Sequence, residues 1–285
     1  MKILLPLLAA VSAGLLALGA AALALRPGAN LRAAFDERRA ALRPGPAGPP
    51  VTEADLARLP EPVRRYLRRS GAVGRPPVTM VHAVFDATLW SAPGSAPMTG
   101  PAHQIDVLDP PRRLFFMTTR IRGLPVAVLH DYSGSAAAMT VRIARLFPVA
   151  DHAGPELART ETVTFLNDIA AYAPSAMLRP EFSFAPIDES HAAVTYARGG
   201  VSVSAVLTIS PDGDLTDFAS DDRGDVRPDG SLDIMRWTTP LSGHAGFHSR
   251  RVPTEGRAIW HRPDGAFTYG AFRLRAIAFD GAGPA

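Results

Sequence analysis

Few polar residues in this chain are grouped in a way that suggests chemistry. The densest group is Asp221-Asp222-Arg223, and Glu161 lies on the only long helix that the pattern predicts. A carboxylate brought against an arginine can move a proton or hold a polar head through charge-assisted hydrogen bonds. The same pair can equally brace a strand against a helix. Trp237 and Trp260, each inside a strand-like run, offer large apolar faces that either line a pocket or fill a core. Glu161, Asp221, Arg223, Trp237 and Trp260 are therefore the candidate ligand-binding residues, and no catalytic residue is assigned.

Other groupings fall short of a site. His244 and His248 have the i, i+4 spacing that would aim two imidazoles at one metal on a helix, but Ser-Gly-His-Ala-Gly-Phe-His is too rich in glycine to be helical. His130 and Asp131 are neighbours in a predicted strand and so point to opposite faces. Asp212, Asp214 and Asp217 lack the glycine and distal glutamate of a calcium loop. The chain has no glycine-rich phosphate loop, no Gly-x-Ser-x-Gly elbow and no His-Glu-x-x-His. With no cysteine in 285 residues, thiolate catalysis, Cys-ligated zinc, iron–sulfur clusters and a disulfide framework are excluded. No metal and no cofactor are expected, and nothing marks an enzyme.

The elements that must position these residues are mostly strands. Val78–Trp90, Gln104–Leu108, Arg113–Arg120, Val126–Tyr132 and Met139–Leu146 are short, β-branched or aromatic runs bounded by turn formers. One helix follows, from Pro155 at its first turn to about Ala173, stopped by Pro174. Its apolar stripe is Leu157, Phe165, Leu166, Ile169 and Ala173. Strands resume at Ala192–Tyr196, Val201–Ile209, Leu215–Ser220, Leu232–Thr238, Arg257–Arg262 and Phe267–Phe279. Pro-Asp-Gly occurs at 211–213, 228–230 and 263–265, each time between strand-like runs; the three residue types preset φ, cap the turn and supply positive φ, so antiparallel hairpins are expected. No βαβ alternation is present. The predicted fold is mainly β: a large curved antiparallel sheet or half-barrel, with the one main helix plugging or covering its concave face.

Ahead of this body lies Ile3–Leu25, 23 positions without a charge. It is long enough to cross a bilayer as a helix, and it also has the form of a signal segment, with Lys2 before it and Ala22-Leu23-Ala24 as a cleavage pattern. The expected organisation is an anchor or signal segment over 1–25, a juxtamembrane linker over 26–50 and a single β-rich domain over 51–285. Within the linker a short amphipathic helix is expected over Arg26–Arg43, broken by Pro44-Gly45-Pro46-Ala47-Gly48-Pro49-Pro50. Thr52 with Asp55 has capping-box spacing, and a further helix from near Glu61 carries Arg64, Arg65, Arg68 and Arg69, either a headgroup-binding face or an ordinary solvated one. The net charge of +3 does not call for nucleic acid. Counting arginines after Ile3–Leu25 favours a cytoplasmic body; a signal-like N-terminus favours export, and the body is expected outside the cytoplasm.

Several stretches form an ordered set: Leu59-Pro60-Glu61-Pro62-Val63-Arg64-Arg65-Tyr66-Leu67, Glu161 through Pro174-Ser175-Ala176-Met177-Leu178, Ile187-Asp188, Asp221-Asp222-Arg223, Trp237-Thr238-Thr239-Pro240, and Val252-Pro253 through Trp260 to Pro263-Asp264-Gly265. Taken together they resemble a bacterial family of membrane-anchored proteins of unknown function, which has no assigned activity to lend. The chain departs from that pattern at Gly243–His248, where a more aromatic, tyrosine-bearing stretch is expected. More loosely, a helix against a curved sheet is similar to the lipoprotein-carrier half-barrels, and that likeness implies a hydrophobic concavity for acyl chains. The expected function is envelope-associated binding of an apolar or lipid-like ligand, with the membrane as partner through Ile3–Leu25. An envelope hydrolase using Asp221, Arg223 and Glu161, or an assembly partner docked by residues 64–69, are the alternatives.

Overall fold

The computed structural model describes residues 30–144, 147–227, 231–281 and 283–284. The apolar run Ile3–Leu25 lies outside the described residues, and among the described residues no helix is long and apolar enough to cross a membrane.

Among the described residues three helices precede the sheet: α1 (Leu31–Ala41), α2 (Glu53–Leu56) and α3 (Glu61–Arg69). The capping box at Thr52 and Asp55 forms as its spacing predicts, with the Thr52 backbone N–H and hydroxyl both donating to the Asp55 carboxylate at 2.7 Å. Six strands follow as a meander: β1 (Met80–Leu89), β2 (Met98–Leu108), β3 (Pro111–Ile121), β4 (Leu124–Tyr132), β5 (Ala137–Ile143) and β6 (Phe147–Ala153). Helix α4 (Pro155–Tyr172) and a short 3-10 turn, Pro174–Leu178, lead to β7 (Phe182–Pro186), β8 (His191–Arg198), β9 (Val201–Ile209) and β10 (Leu215–Ser220). A small hairpin, β11 (Gly224–Val226) with β12 (Leu232–Ile234), precedes β13 (Trp237–Thr238) and β14 (Leu241–Ser242). A second small hairpin, β15 (Ala245–Phe247) with β16 (Arg250–Val252), precedes the long pair β17 (Glu255–Arg262) and β18 (Gly265–Phe279).

Among the described residues fourteen strands form one antiparallel sheet in the order β6-β5-β4-β3-β2-β1-β18-β17-β13-β10-β9-β8-β7, with β14 alongside β17. Its free edges are β6 and β7, the two strands that α4 connects in sequence. The helix touches strands of both halves, β2, β4, β5 and β6 on one side and β9 and β10 on the other, so the sheet curls around it. This is the predicted half-barrel with one main helix. Each Pro-Asp-Gly run links neighbouring antiparallel strands, β9 to β10, β11 to β12 and β17 to β18. The glycines of the first and last supply the positive φ expected of them, +92° at Gly213 and +132° at Gly265.

Strand alternation divides the sheet's two faces cleanly. Val81, Ala83 and Phe85 of β1, and Phe115 and Met117 of β3, pack inward with α4, whereas Met80, Ile105, Val107, Leu114, Phe116 and Leu129 pack outward. That outer face is covered by α1 through Leu31 and Phe35, with Phe35 stacked on Phe116 at 5.0 Å. The stretch expected as a linker thus carries a helix docked on the body's own sheet.

Two further expectations change. The run Leu232–Thr238 is two short strands in two different sheets, because residues 235 and 236 leave the ladder. And α4 is not a cover with one buried stripe: from Leu157 to Tyr172 every residue but Arg159 is buried. Phe165 packs between Tyr132 and Tyr196, which belong to opposite halves of the sheet.

Candidate functional site

The inner face of the sheet is not filled by α4 alone. A cavity of about 470 Å³ remains between the helix and strands β1 to β6, β13, β14, β17 and β18. Its lining runs from the half-exposed Ile121 and the exposed Val149 to Arg113, Glu161 and Asp168, each at most 6% exposed. Ile121 and Arg113 stand near opposite ends of β3, eight residues apart, a stretch of strand of roughly 26 Å at about 3.3 Å per residue. The walls are aliphatic on one side, with Val126, Val128, Met139, Val141 and Ile143, and aromatic on the other, with Phe85, Phe115 and Phe272. At the mouth, Ile121 pairs with Leu124 across the β3–β4 turn, and Ile143 pairs with Phe147. Leu124, Phe147 and Val149 are 52%, 64% and 60% exposed, which gives the cavity an apolar rim.

The closed end is ionic, and two elements build it. On β3 the alternation that turns Phe115 and Met117 inward also turns Arg113 inward. On α4, Glu161, Thr164, Asn167, Asp168 and Ala171 recur at three- and four-residue steps and share the side that faces the cavity. Arg113 donates from Nε to Asp168 Oδ2 at 2.7 Å and from Nη1 to Glu161 Oε2 at 3.2 Å, and its Nη2 lies 3.5 Å from Gln104 Oε1. Arg223 donates from Nε to Thr164 Oγ1 at 3.1 Å, and its Nη2 stands 3.9 Å from Glu161 Oε1. His130 Nδ1 is 3.7 Å from the same oxygen. Asn167 accepts from the Thr239 hydroxyl at 2.5 Å and donates to Asp168 at 3.3 Å.

The charges at this end are unequal. Burial by itself would raise the Glu161 carboxyl, but the adjoining His130 imidazole and the guanidinium charges of Arg113 and Arg223 hold it down, at about 2. Burial pushes the Asp168 carboxyl up against the pull of Arg113. Asp106, beside it on β2, is pushed well up by burial and by the Asp168 charge, and is left with one oxygen, Oδ1, that has no hydrogen-bond partner. Arg113 stays charged despite its burial, because Asp168, Glu161 and Asp106 surround it.

Of the sequence candidates, Glu161, Arg223 and Trp237 line the cavity. Trp260 is paired directly with Trp237 across β17 and β13 and lies behind it, buried against Tyr269 and the Arg223 guanidinium. Asp221 is elsewhere: its side chain is 73% exposed and 3.5 Å from Arg236. Strand β10 ends at Ser220, so alternation does not carry Asp221 to the side of Arg223. The brace between strand and helix belongs to Asp222, which accepts from Arg159 of α4 at 3.0 Å and from the backbone and hydroxyl of Ser204 at 2.8 and 2.9 Å. Arg113, Asp168, Asn167 and Tyr269 are not among the sequence candidates. The signal for them was a polar residue in step with inward-facing apolar ones, Arg113 with Phe115 and Met117, and a helical repeat of polar residues from Glu161 to Asp168. His130 and Asp131 do point apart, His130 to the cavity and Asp131 outward to Arg38 and Arg112 at 3.0 and 3.2 Å. The arginines of α3 are engaged: Arg64 with Glu61, Arg68 with Glu53, Arg69 with Asp214, and Arg65 on the carbonyls of Ser210 and Glu189. Among the described residues no group of acids and histidines could hold a metal ion.

Residues 49–272 match the family of unknown function DUF6544. The chain belongs to DUF6544. The match begins at the end of the Pro/Gly run and spans α2 through most of β18, so the whole cavity lies within the family's extent. Curated proteins yield no match. Among solved structures, this DUF6544 chain is similar to a domain assigned to outer membrane lipoprotein sorting from Vibrio parahaemolyticus (12% identity, 70% of this chain and 85% of that one, TM-score 0.35). It is also similar to a DUF1329 family protein from Desulfovibrio piger (11%, 77% and 92%, TM-score 0.42) and to a LolA superfamily protein from Nitrosomonas europaea (11%, 75% and 92%, TM-score 0.40). These are likenesses of general plan, and what the DUF6544 cavity holds has to be read from its own residues.

Proposed function

We propose that this protein binds an elongated, lipid-like ligand in the cavity between α4 and the curved sheet, as a non-enzymatic binding or carrier protein of the bacterial envelope. One observation carries the reading: a cavity of about 470 Å³, open at one end, whose walls are almost wholly apolar over most of its length. A cavity of this size suits a small-molecule ligand. An apolar space this large on the inside of a sheet is costly to leave unfilled, because its lining loses the contacts that a packed core would provide. The rim of Ile121, Leu124, Phe147 and Val149 gives an apolar ligand a path that avoids water. Ile3–Leu25 would hold the body at the membrane, with the body on the outer side.

Native mass spectrometry of the detergent-extracted protein tests the reading. The expected result is a co-purifying amphiphile, lost when Val128 and Val141 are replaced by bulky Trp to fill the cavity. A protein that carries nothing, and that takes up no neutral apolar dye until it unfolds, would end the proposal. A reporter fused after Ala285 tests the placement: activity only on the outer face is expected, and protection of the body from protease added to spheroplasts would refute it.

A further inference from the structure

Arg223 is placed unlike the other buried arginine of the cavity. Arg113 has its donors turned onto Asp168, Glu161 and Gln104. Among the described residues the Arg223 side chain has one hydrogen bond, from Nε to the neutral Thr164 hydroxyl, and its one ion pair is the 3.9 Å approach to Glu161, too long for a hydrogen bond. Yet Arg223 is only 8% exposed and lines the cavity. What holds it there is aromatic: its guanidinium carbon lies 4.5 Å from the Trp237 ring centroid, 4.9 Å from that of Trp260 and 6.0 Å from that of Tyr269. Stacking of this kind stabilises the cation through the ring faces and leaves the edge of the plane, where the Nη donors project, free for an acceptor.

The charge around it points the same way. Lining the cavity are Arg113, Arg223 and Arg257 against Glu161 and Asp168. Arg113 sits between both carboxylates and Arg257 is exposed to solvent, so the buried positive charge left without a close partner is that of Arg223. A buried cation with open donors is expensive unless something completes it.

We propose that Arg223 is the head-binding residue of the cavity, and that the ligand is a single-chain acyl amphiphile with an anionic head, a carboxylate or phosphate, seated on the Arg223 edge while its chain runs along β3 towards Ile121. This rests on the apolar-ligand reading of the cavity and adds the head chemistry to it. Trp237, Trp260 and Thr164 are positioning residues, fixing the plane of the guanidinium. Glu161, between Arg113 and Arg223, is already engaged by both guanidiniums, which disfavours a cationic head there.

The test is displacement of a neutral apolar dye, N-phenyl-1-naphthylamine, from the full chain in mild detergent by hexadecanoate, hexadecyl phosphate, hexadecanol and hexadecylamine. Wild-type protein should release dye to the two acids at a concentration at least tenfold lower than to the alcohol, which is about 1.4 kcal/mol of preference, and to the amine last. Comparing the two acids identifies which anion the site prefers. Arg223→Gln should bring acids and alcohol level while leaving the alcohol's own displacement unchanged, and Arg223→Lys should restore part of the preference. Equal displacement by acid and alcohol in the wild type overturns the proposal even if the variants do not fold, as does a preference that survives in folded Arg223→Gln. If none of the four compounds displaces dye, the apolar-ligand reading itself fails, a different result from binding without head preference.

Discussion

Replacing Arg113 by Met removes the residue on which the closed end of the cavity is organised. Arg113, Glu161 and Asp168 are 6%, 4% and 5% exposed. The substitution deletes a charged hydrogen bond of 2.7 Å to Asp168 and another of 3.2 Å to Glu161. Two such bonds at roughly 1.5–3 kcal/mol each, or one broken buried ion pair at about 3–5 kcal/mol, give the same scale of loss. The expected cost is therefore about 3–5 kcal/mol near neutral pH, which lowers Tm by roughly 6–20 °C for a domain of this size. The loss must also depend on pH. Asp168 is already pushed up by burial, and without Arg113 both carboxyls bind protons more tightly in the folded than in the unfolded chain. A raised carboxyl costs stability as pH rises and returns it as pH falls, so the deficit should shrink by about 1–2 kcal/mol between about pH 8 and about pH 5. Urea unfolding followed by tryptophan fluorescence reads both quantities. A loss below about 1 kcal/mol, or a deficit of equal size at both pH values, would refute the account of the cluster.

Three further outcomes are expected. Phe165→Ala should cost about 3–5 kcal/mol, since Phe165 is buried between Tyr132 and Tyr196; amides of residues 160–172 should exchange no faster than those of β3, and early opening of this helix in hydrogen exchange would show a movable cover after all. Asp222→Ala should cost about 1–3 kcal/mol through the lost bonds to Arg159 and Ser204, while Asp221→Asn stays within about 0.5 kcal/mol; equal Tm shifts for the two would contradict the placement of the brace. His82 lies beneath α1 facing His103, and burial, the His103 ring and Arg39 push it down to about 4. Because the unfolded chain binds this proton more readily, stability on the order of 1–3 kcal/mol should be lost as pH falls from about 6.5 to about 4. His82→Phe should remove that part of the acid sensitivity, while Asp106 and Asp168, pushed up rather than down, act in the opposite sense in both proteins; an unaltered acid profile in His82→Phe would refute the assignment.

What the sequence revealed and what it hid follow from where burial imposes a pattern. The long strands β1, β3, β4, β9 and β18 have one face against α4 or its neighbours, and their alternation is plain in the residues. Among the strands passed over, β6 and β7 are the sheet's two edges: β6 is mostly exposed and contains Pro148, so nothing enforces alternation there. The first half of β2 hides behind Gly100 and Pro101, which read as a turn; the glycine is needed because the Thr118 carbonyl oxygen would lie only 1.8 Å from any Cβ at that position. The site was half legible for a related reason. Polar residues on a helix are read as its solvent face, and on α4 that face looks instead into a cavity. Asp221 lies apart from Glu161 because residues 221 and 222 form a bend beyond the end of β10, and a run of neighbouring polar residues in a sequence does not show where such a bend turns each side chain.

The placement of charge on α4 bears on function more than on stability. A helix enclosed by a sheet on nearly every side could be apolar throughout, and an apolar substitute for a buried ion cluster is often as stable or more so. Here the residues that pack on the sheet, Leu157, Phe165, Leu166 and Ile169, are apolar, and the buried charges of the helix, Glu161 and Asp168, both face the cavity. Desolvation there is offset by a closed circuit of partners for Arg113, but not for Arg223 or for Asp106 Oδ1. A cluster serving only to brace the helix would be completed internally, since each unfilled donor or acceptor weakens the brace. An incomplete one, buried at the far end of an apolar channel, has the form of a recognition site whose last partner comes with the ligand.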